Sequence, residues 1–154
     1  MNETLLIVED EDNDVFFLKD ALRKAGIGNP IQVVPDGRIA LDYLDGVGRF
    51  ANREAYPLPS VVFLDLKLPQ INGLAVLEWI RGQISLPPMV VVVLTASTLD
   101  EDIERAYRLG ANSYVVKPSS RDKLIAIVKD FGNWWLKHNE PPPYRVHLAV
   151  EAVA

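Results

Sequence analysis

Four runs of apolar residues in this chain each stop at polar residues able to do chemistry. Leu5 to Val8 is followed by Glu9-Asp10, Val61 to Leu64 by Asp65, Met89 to Leu94 by Thr95, and Tyr114 to Val116 by Lys117-Pro118. Runs this short and this continuously apolar read as strands buried on both faces, as in a parallel sheet; a half-exposed strand would alternate. Helical spacing separates the runs, so the chain is expected to repeat strand and helix into an open α/β sheet. Such sheets bind ligands outside the carboxyl ends of their strands. Two acids, an aspartate, a hydroxyl and a lysine are therefore expected to meet at one edge.

Five strand–helix repeats account for most of the chain. Val15, Phe16, Leu18, Ala21, Leu22 and Ala25 recur at helical spacing from Asp12 to Ala25, and Gly26 ends that helix. Ile31 to Val34 reads as a short second strand, followed by a helix from about Gly37 to Leu44. Gly46, Gly48, Pro57 and Pro59 bracket an irregular stretch from Asp45 to Ser60, long for a connection in such a fold. A loop from Leu66 to Asn72 leads to a helix over Gly73 to Ile84, and Pro87-Pro88 precedes the fourth strand. Ser97 or Thr98 is suited to cap the next helix, whose first turn carries Asp100, Glu101 and Asp102 against the dipole. Gly110 stops it. Ser119 or Ser120 caps the last helix, which is expected to reach about His138.

Length and composition narrow the class. The chain has 154 residues with 49% apolar content, enough for one domain with a sizeable core. It has no cysteine, which excludes disulfides, thiolate nucleophiles and cysteine-ligated zinc. The net charge of −5 argues against nonspecific attraction to nucleic acid. The opening apolar run is too short for a signal-peptide core or a membrane span, so a cytosolic address is expected.

Glu9, Asp10 and Asp65, brought within a few ångströms, would repel one another and raise one another's pKa values. A hard divalent cation relieves that repulsion, and carboxylate oxygens suit magnesium, which also binds phosphate. An acid after a strand is ordinarily a helix cap; three at one sheet edge favour the cation. Lys117 alone reads as a solvated loop lysine, but beside acids and a metal it suits pairing with a phosphate. Thr95 could donate to the same group. Lys117-Pro118 is also a candidate cis bond.

These motifs, in order, resemble the receiver domain of two-component response regulators: Glu9-Asp10, Asp65 with Leu68-Pro69 and Asn72-Gly73, Thr95-Ala96, and Tyr114-Val115-Val116-Lys117-Pro118. The resemblance covers about residues 3 to 138. It implies a flavodoxin-like (βα)5 fold with a parallel sheet in the order 2-1-3-4-5 and a C-terminal extension. It further implies that Asp65 accepts phosphate from a sensor histidine kinase, and that Asp10 and Asp65, helped by Glu9, hold Mg2+ together with the Lys67 backbone carbonyl. Thr95 and Lys117 would contact the phosphoryl group. Tyr114 would switch between outward and inward positions as Thr95 moves. The long connection from Asp45 to Ser60, Trp134-Trp135 and the prolines after them resemble, more narrowly, regulators paired with bacterial phytochromes.

Rival classes fit less well. A haloacid-dehalogenase-type phosphatase also uses an aspartate nucleophile with magnesium, but places a second acid two residues later, where Lys67 stands here. Its nucleophile also follows the first strand rather than the third. A receiver-like binding module that is never phosphorylated would not need the full set of acids, Thr95 and Lys117. About sixteen residues follow the last helix, too few for a helix-turn-helix domain, so output through a protein contact or phosphate relay is expected rather than DNA binding.

The receiver unit is read as 1–138 and the tail as 139–154. Leu124, Val128, Phe131 and Trp135 form the face that covers the sheet, which leaves Ile127 and Trp134 as a second apolar stripe. Tyr144, Val146, Leu148 and Val150 alternate with polar or small residues, as an extended arm with one apolar side would. Ile127, Trp134, Val146 and Leu148 are thus candidates for a homodimer contact, with the tail folding back on its own domain as the alternative. His138 and His147 lie at no strand end and read as solvated.

Overall fold

Every apolar run forms a strand. The computed structural model describes residues 3–142, with β1 at Leu5–Val8, β2 at Ile31–Val34, β3 at Val61–Leu64, β4 at Val90–Thr95 and β5 at Ser113–Val116. All neighbours pair in parallel in the order β2-β1-β3-β4-β5. The register levels the strand ends that matter: Val8 lies between Val34 and Leu64, and Leu64 faces Val93.

Because successive side chains of a strand alternate between faces, the sheet carries two cores. Leu6, Val8, Val62, Leu64 and Val91 pack with α2 (Gly37–Asp45) and α3 (Gly73–Gly82) through Ala40, Tyr43, Leu44, Val76, Leu77 and Ile80. Leu5, Ile7, Val61, Phe63, Val92 and Leu94 pack on the other side with α1 (Asp12–Lys24) and α5 (Arg121–Phe131) through Leu18, Ala21, Leu22, Leu124 and Val128. The remaining helix, α4 (Asp100–Arg108), buries only Ala106, which joins Leu66, Leu74 and Val93.

Helix limits depart from the sequence reading in instructive places. Phe16 faces outward, 58% exposed, because Leu18, Ala21 and Leu22, with Val15 and Ala25 beside them, already cover that strip of sheet. The third helix stops at Gly82, Gln83 turns extended, and Ile84 stands free at 96% exposure. Ser120 caps α5 by accepting from the Lys123 amide, as expected. Neither Ser97 nor Thr98 caps α4: extended Leu99 occupies that place, and the Ser97 hydroxyl bonds Asp102 instead. The last helix reaches His138 only by widening into a π-helical segment, Gly132–His138.

The stretch from Asp45 to Ser60 is packed structure. A 3-10 turn at Gly48–Ala51 buries Phe50, whose ring lies 5.1 Å from Tyr43 and 5.0 Å from Tyr56. Arg53 closes the C-terminus of α2 by donating to the carbonyls of Tyr43 and Leu44, groups a helix end leaves without partners.

Candidate functional site

The sheet's hydrogen-bond ladder runs past its last paired residues and fixes the backbone of the site. The Glu9 amide donates to Val34 O, the Asp65 amide to Val8 O and the Lys117 amide to Thr95 O, at 3.1, 3.1 and 2.8 Å. These segments therefore leave the sheet at one edge with their side chains converging. The β3–α3 connection is equally constrained. Asn72 caps α3 through the Ala75 amide, and Gly73 lies so close to β3 that a Cβ there would sit 2.1 Å from the Asp65 carbonyl oxygen. A glycine is required for that approach.

Glu9, Asp10 and Asp65 each place one carboxylate oxygen within 4.8 Å of the others. Glu9 and Asp65 are buried, each 6% exposed. Burial pushes the Glu9 carboxyl up to about 7; the Lys117 hydrogen bond and the Glu11 amide pull it down only in part, and the charge of Asp65 adds to the rise. Oxygen donors alone, crowded and partly desolvated, are a fitting set for a hard divalent cation.

Lys117 crosses the top of this cluster. Its ammonium donates to Glu9 Oε2 and Asp14 Oδ2, both at 2.8 Å, and to Asp65 Oδ2 at 3.2 Å. Burial alone would lower its pKa, but the hydrogen bonds to Asp14 and Glu9 and the charge of Asp65 outweigh this and raise it. The Lys67 amide lies 3.4 Å from Asp65 Oδ1. The Lys117-Pro118 bond is trans, as are the other described peptide bonds, so Lys117 is aimed without a cis turn.

Thr95 is fully buried, and its Oγ1 has no hydrogen-bond partner among the described residues. A buried hydroxyl without a partner is costly to leave so, and it stands at the edge where a further acceptor would bind. Beside it, Tyr114 packs against the cluster of Leu66, Leu74, Val93 and Ala106. Its hydroxyl donates to the Ser97 carbonyl at 2.9 Å, and its amide donates to the Tyr107 hydroxyl at 3.1 Å.

The structure thus brings together Glu9, Asp10, Asp65, Thr95 and Lys117, and ties Tyr114 by its hydroxyl to Ser97, two residues beyond Thr95. Asp14 is the partner the sequence reading missed. An acid in a helix's first turn is ordinarily explained by the dipole, and its one local signal is a place one turn beyond Asp10. Trp134 is 62% exposed and Ile127 half-buried, and both line a cavity of about 260 Å³ between α5 and the β4–β5 side of the sheet. His138 is exposed at the end of the π-helical segment. Val146, Leu148 and His147 lie outside the described residues. Among those described, no helix is long and apolar enough to cross a membrane.

The chain is similar to known proteins in sequence and in fold. The chain is 38% identical over 141 residues to the probable methanogenesis regulatory protein FilR2 of Methanothrix harundinacea, covering 90% of this chain and 86% of that protein. It is 30% identical to the response regulator Rcp1 of Synechocystis, over 88% of this chain and 90% of Rcp1. The manganese-bound form of Rcp1 superposes with a TM-score of 0.81 over 92% of this chain and 99% of the other. The phosphorylated cyanobacterial phytochrome response regulator RcpA, 31% identical, superposes with a TM-score of 0.85 over 93% of this chain and all of the other. The response regulator receiver domain model matches residues 5–129, and by that match the chain belongs to the response regulator receiver family.

Proposed function

We propose that this chain is a phosphorylation-operated switch in which Asp65 accepts a phosphoryl group from a sensor histidine kinase. The observation that carries the reading is the convergence of a buried aspartate, a lysine 3.2 Å from it and a buried threonine hydroxyl without a partner. An Asp65 carboxylate oxygen forms the new bond to phosphorus as the bond to the donor's imidazole nitrogen, or to the acyl oxygen of acetyl phosphate, breaks. The leaving group departs with that electron pair. The Lys117 ammonium and the Thr95 hydroxyl donate to oxygens of the transferred group. Positioning and neutralisation of charge are most of what such transfers need.

Magnesium would be held by Glu9, Asp10 and Asp65 with the Lys67 carbonyl, and when bound it neutralises charge on the phosphoryl oxygens. The crowding and burial of the three acids support that assignment, as does the manganese form of Rcp1. Catalysis is confined to the chain's own phosphorylation and its loss; the output is a conformational change. A cytosolic address suits a partner of sensor kinases, and likeness to RcpA supports one of phytochrome type.

Incubation with acetyl phosphate and magnesium is expected to add one phosphoryl group to the wild type and none to Asp65→Asn, read by intact mass. Equal incorporation by the variant overturns the assignment. The output is proposed to pass through Thr95 and Tyr114 to the face of α4, β5 and α5, where Ile103 and Tyr107 lie. Beryllofluoride, which mimics the acyl phosphate, is then expected to shift the Tyr114 ring signals by NMR; unchanged signals refute the switch. Trp134 and Ile127, with the cavity they line, support a homodimer contact on α5, to which Val146 and Leu148 of the tail are proposed to add.

A further inference from the structure

Lys117 holds three carboxylates, and only Glu9 and Asp65 belong to the group of acids suited to a shared cation. The third, Asp14, sits in the first turn of α1, across the groove from the β5–α5 connection. We infer that Asp14 is a positioning residue that restrains phosphorylation: it occupies a Lys117 N–H that the phosphoryl group needs, and yields it when phosphate arrives. This rests on Asp65 being the phosphoacceptor.

An ammonium has three N–H donors. Here they meet Glu9 Oε2 at 2.8 Å, Asp14 Oδ2 at 2.8 Å and Asp65 Oδ2 at 3.2 Å, so a phosphoryl oxygen can reach Lys117 only by displacing one of them. The side chains of Glu9 and Asp65 are each 7% exposed, whereas that of Asp14 is 39% exposed. While no metal is bound, a buried carboxylate that loses Lys117 bears a desolvation cost that a carboxylate reached by water escapes, and Asp14 lies outside the acids suited to a shared cation. Asp14 is therefore the partner that lets go. A cavity of about 230 Å³, lined by Asp14, Lys117, Asp65 and the apolar side chains of Phe17, Leu18 and Leu124, leaves room for its carboxylate to turn away.

The carboxylate of Asp14 stabilises the resting arrangement and does nothing for the phosphorylated one. Asp14→Asn keeps the shape and removes the charge. With saturating magnesium, its initial rate of phosphorylation by acetyl phosphate is expected to exceed the wild-type rate by about two- to fivefold, the range for a partly screened ion pair. Beryllofluoride, followed by fluorine NMR, is expected to bind it more tightly by a similar factor. Both differences should narrow as sodium chloride rises from about 0.05 to 1 M, because screening weakens the wild-type pair. A merely structural Asp14 would show no such salt dependence.

Rates and affinities equal to or below the wild type's, or a difference indifferent to salt, overturn the inference. Thermal melts check that Asp14→Asn folds, and Asp14→Ser serves if it does not. A wild type that takes up no phosphoryl group overturns the phosphoacceptor reading and this inference together. A phosphorylated wild type that Asp14→Asn fails to outpace overturns this inference alone.

Discussion

Glu9 carries a burden no neighbour fully relieves. Its ordinary pKa of 4.5 rises to about 7 in the folded protein, chiefly through burial. Between those values the native state holds a proton that the unfolded chain has already released. The metal-free protein therefore loses stability as pH rises through that window; the Glu9 contribution is fully favourable below about 4.5 and gone above about 7. Lys117 is shifted upward from an already basic value, so it contributes no change in this range. Urea melts in chelator from pH 4.5 to 7.5 are expected to show a steeper loss for the wild type than for Glu9→Gln. Equal slopes would remove Glu9 as the cause. Saturating magnesium should stabilise the wild type most at the alkaline end, since a cation is bound by the ionised carboxylate and by the native state alone.

At the scale of elements, the site is precise because a helix start is pressed against a strand end. Gly73 lets α3 approach β3 so closely that Asp65 and Leu66 are clamped from behind. Gly73→Ala forces a Cβ into backbone that cannot yield cheaply, and is expected to cost about 1–3 kcal/mol, the usual range for overpacking. Its phosphorylation by acetyl phosphate should fall as well, since Asp65 would be displaced. Denaturant melts and initial rates measured on one preparation would show both losses, and a variant with wild-type values would refute the clamp. Small contacts also link α4 to the segment after β4. Tyr114 bonds the Ser97 carbonyl, Ser97 bonds Asp102 near the start of α4, and Tyr107 accepts from the Tyr114 amide. A shift at Thr95, two residues before Ser97, would reach α4 through these bonds. An apolar anchor as small as Ala106 leaves that helix free to respond.

For the molecule as a whole, the outer side of α5 is the face proposed to meet a second copy. Trp134, 62% exposed, lines with Ile127 and Val115 the apolar cavity between α5 and the β5 edge of the sheet. A second copy could cover such a surface with the same surface of its own, as two-fold interfaces do. Analytical ultracentrifugation is expected to find a dimer for the full chain, and a weaker one for Trp134→Ala or after removal of Pro141 onward. A wild type that stays monomeric at tens of micromolar, phosphorylated or not, rules the dimer out.

All five strands, β4 and β5 with ends shifted by one residue, and the meeting of Glu9, Asp10, Asp65 and Lys117 at one edge were legible in the sequence, because both depend on local pattern. A continuously apolar run is buried wherever the sheet puts it, and the residue after it leaves at the sheet's edge. Sheet order came from the family resemblance. What the tertiary structure alone decided is which groups meet and how dry they are. Asp14 pairs with Lys117 across a sequence separation of 103 residues, Glu9 owes its raised pKa to packing around it, and Phe16 faces out because α1 covers its strip of sheet without it. The aromatic packing of Tyr43, Phe50 and Tyr56 likewise sits in a stretch whose glycines and prolines read as a loop. Such facts turn on distances between segments and on exclusion of water, which exist only once the layers have closed.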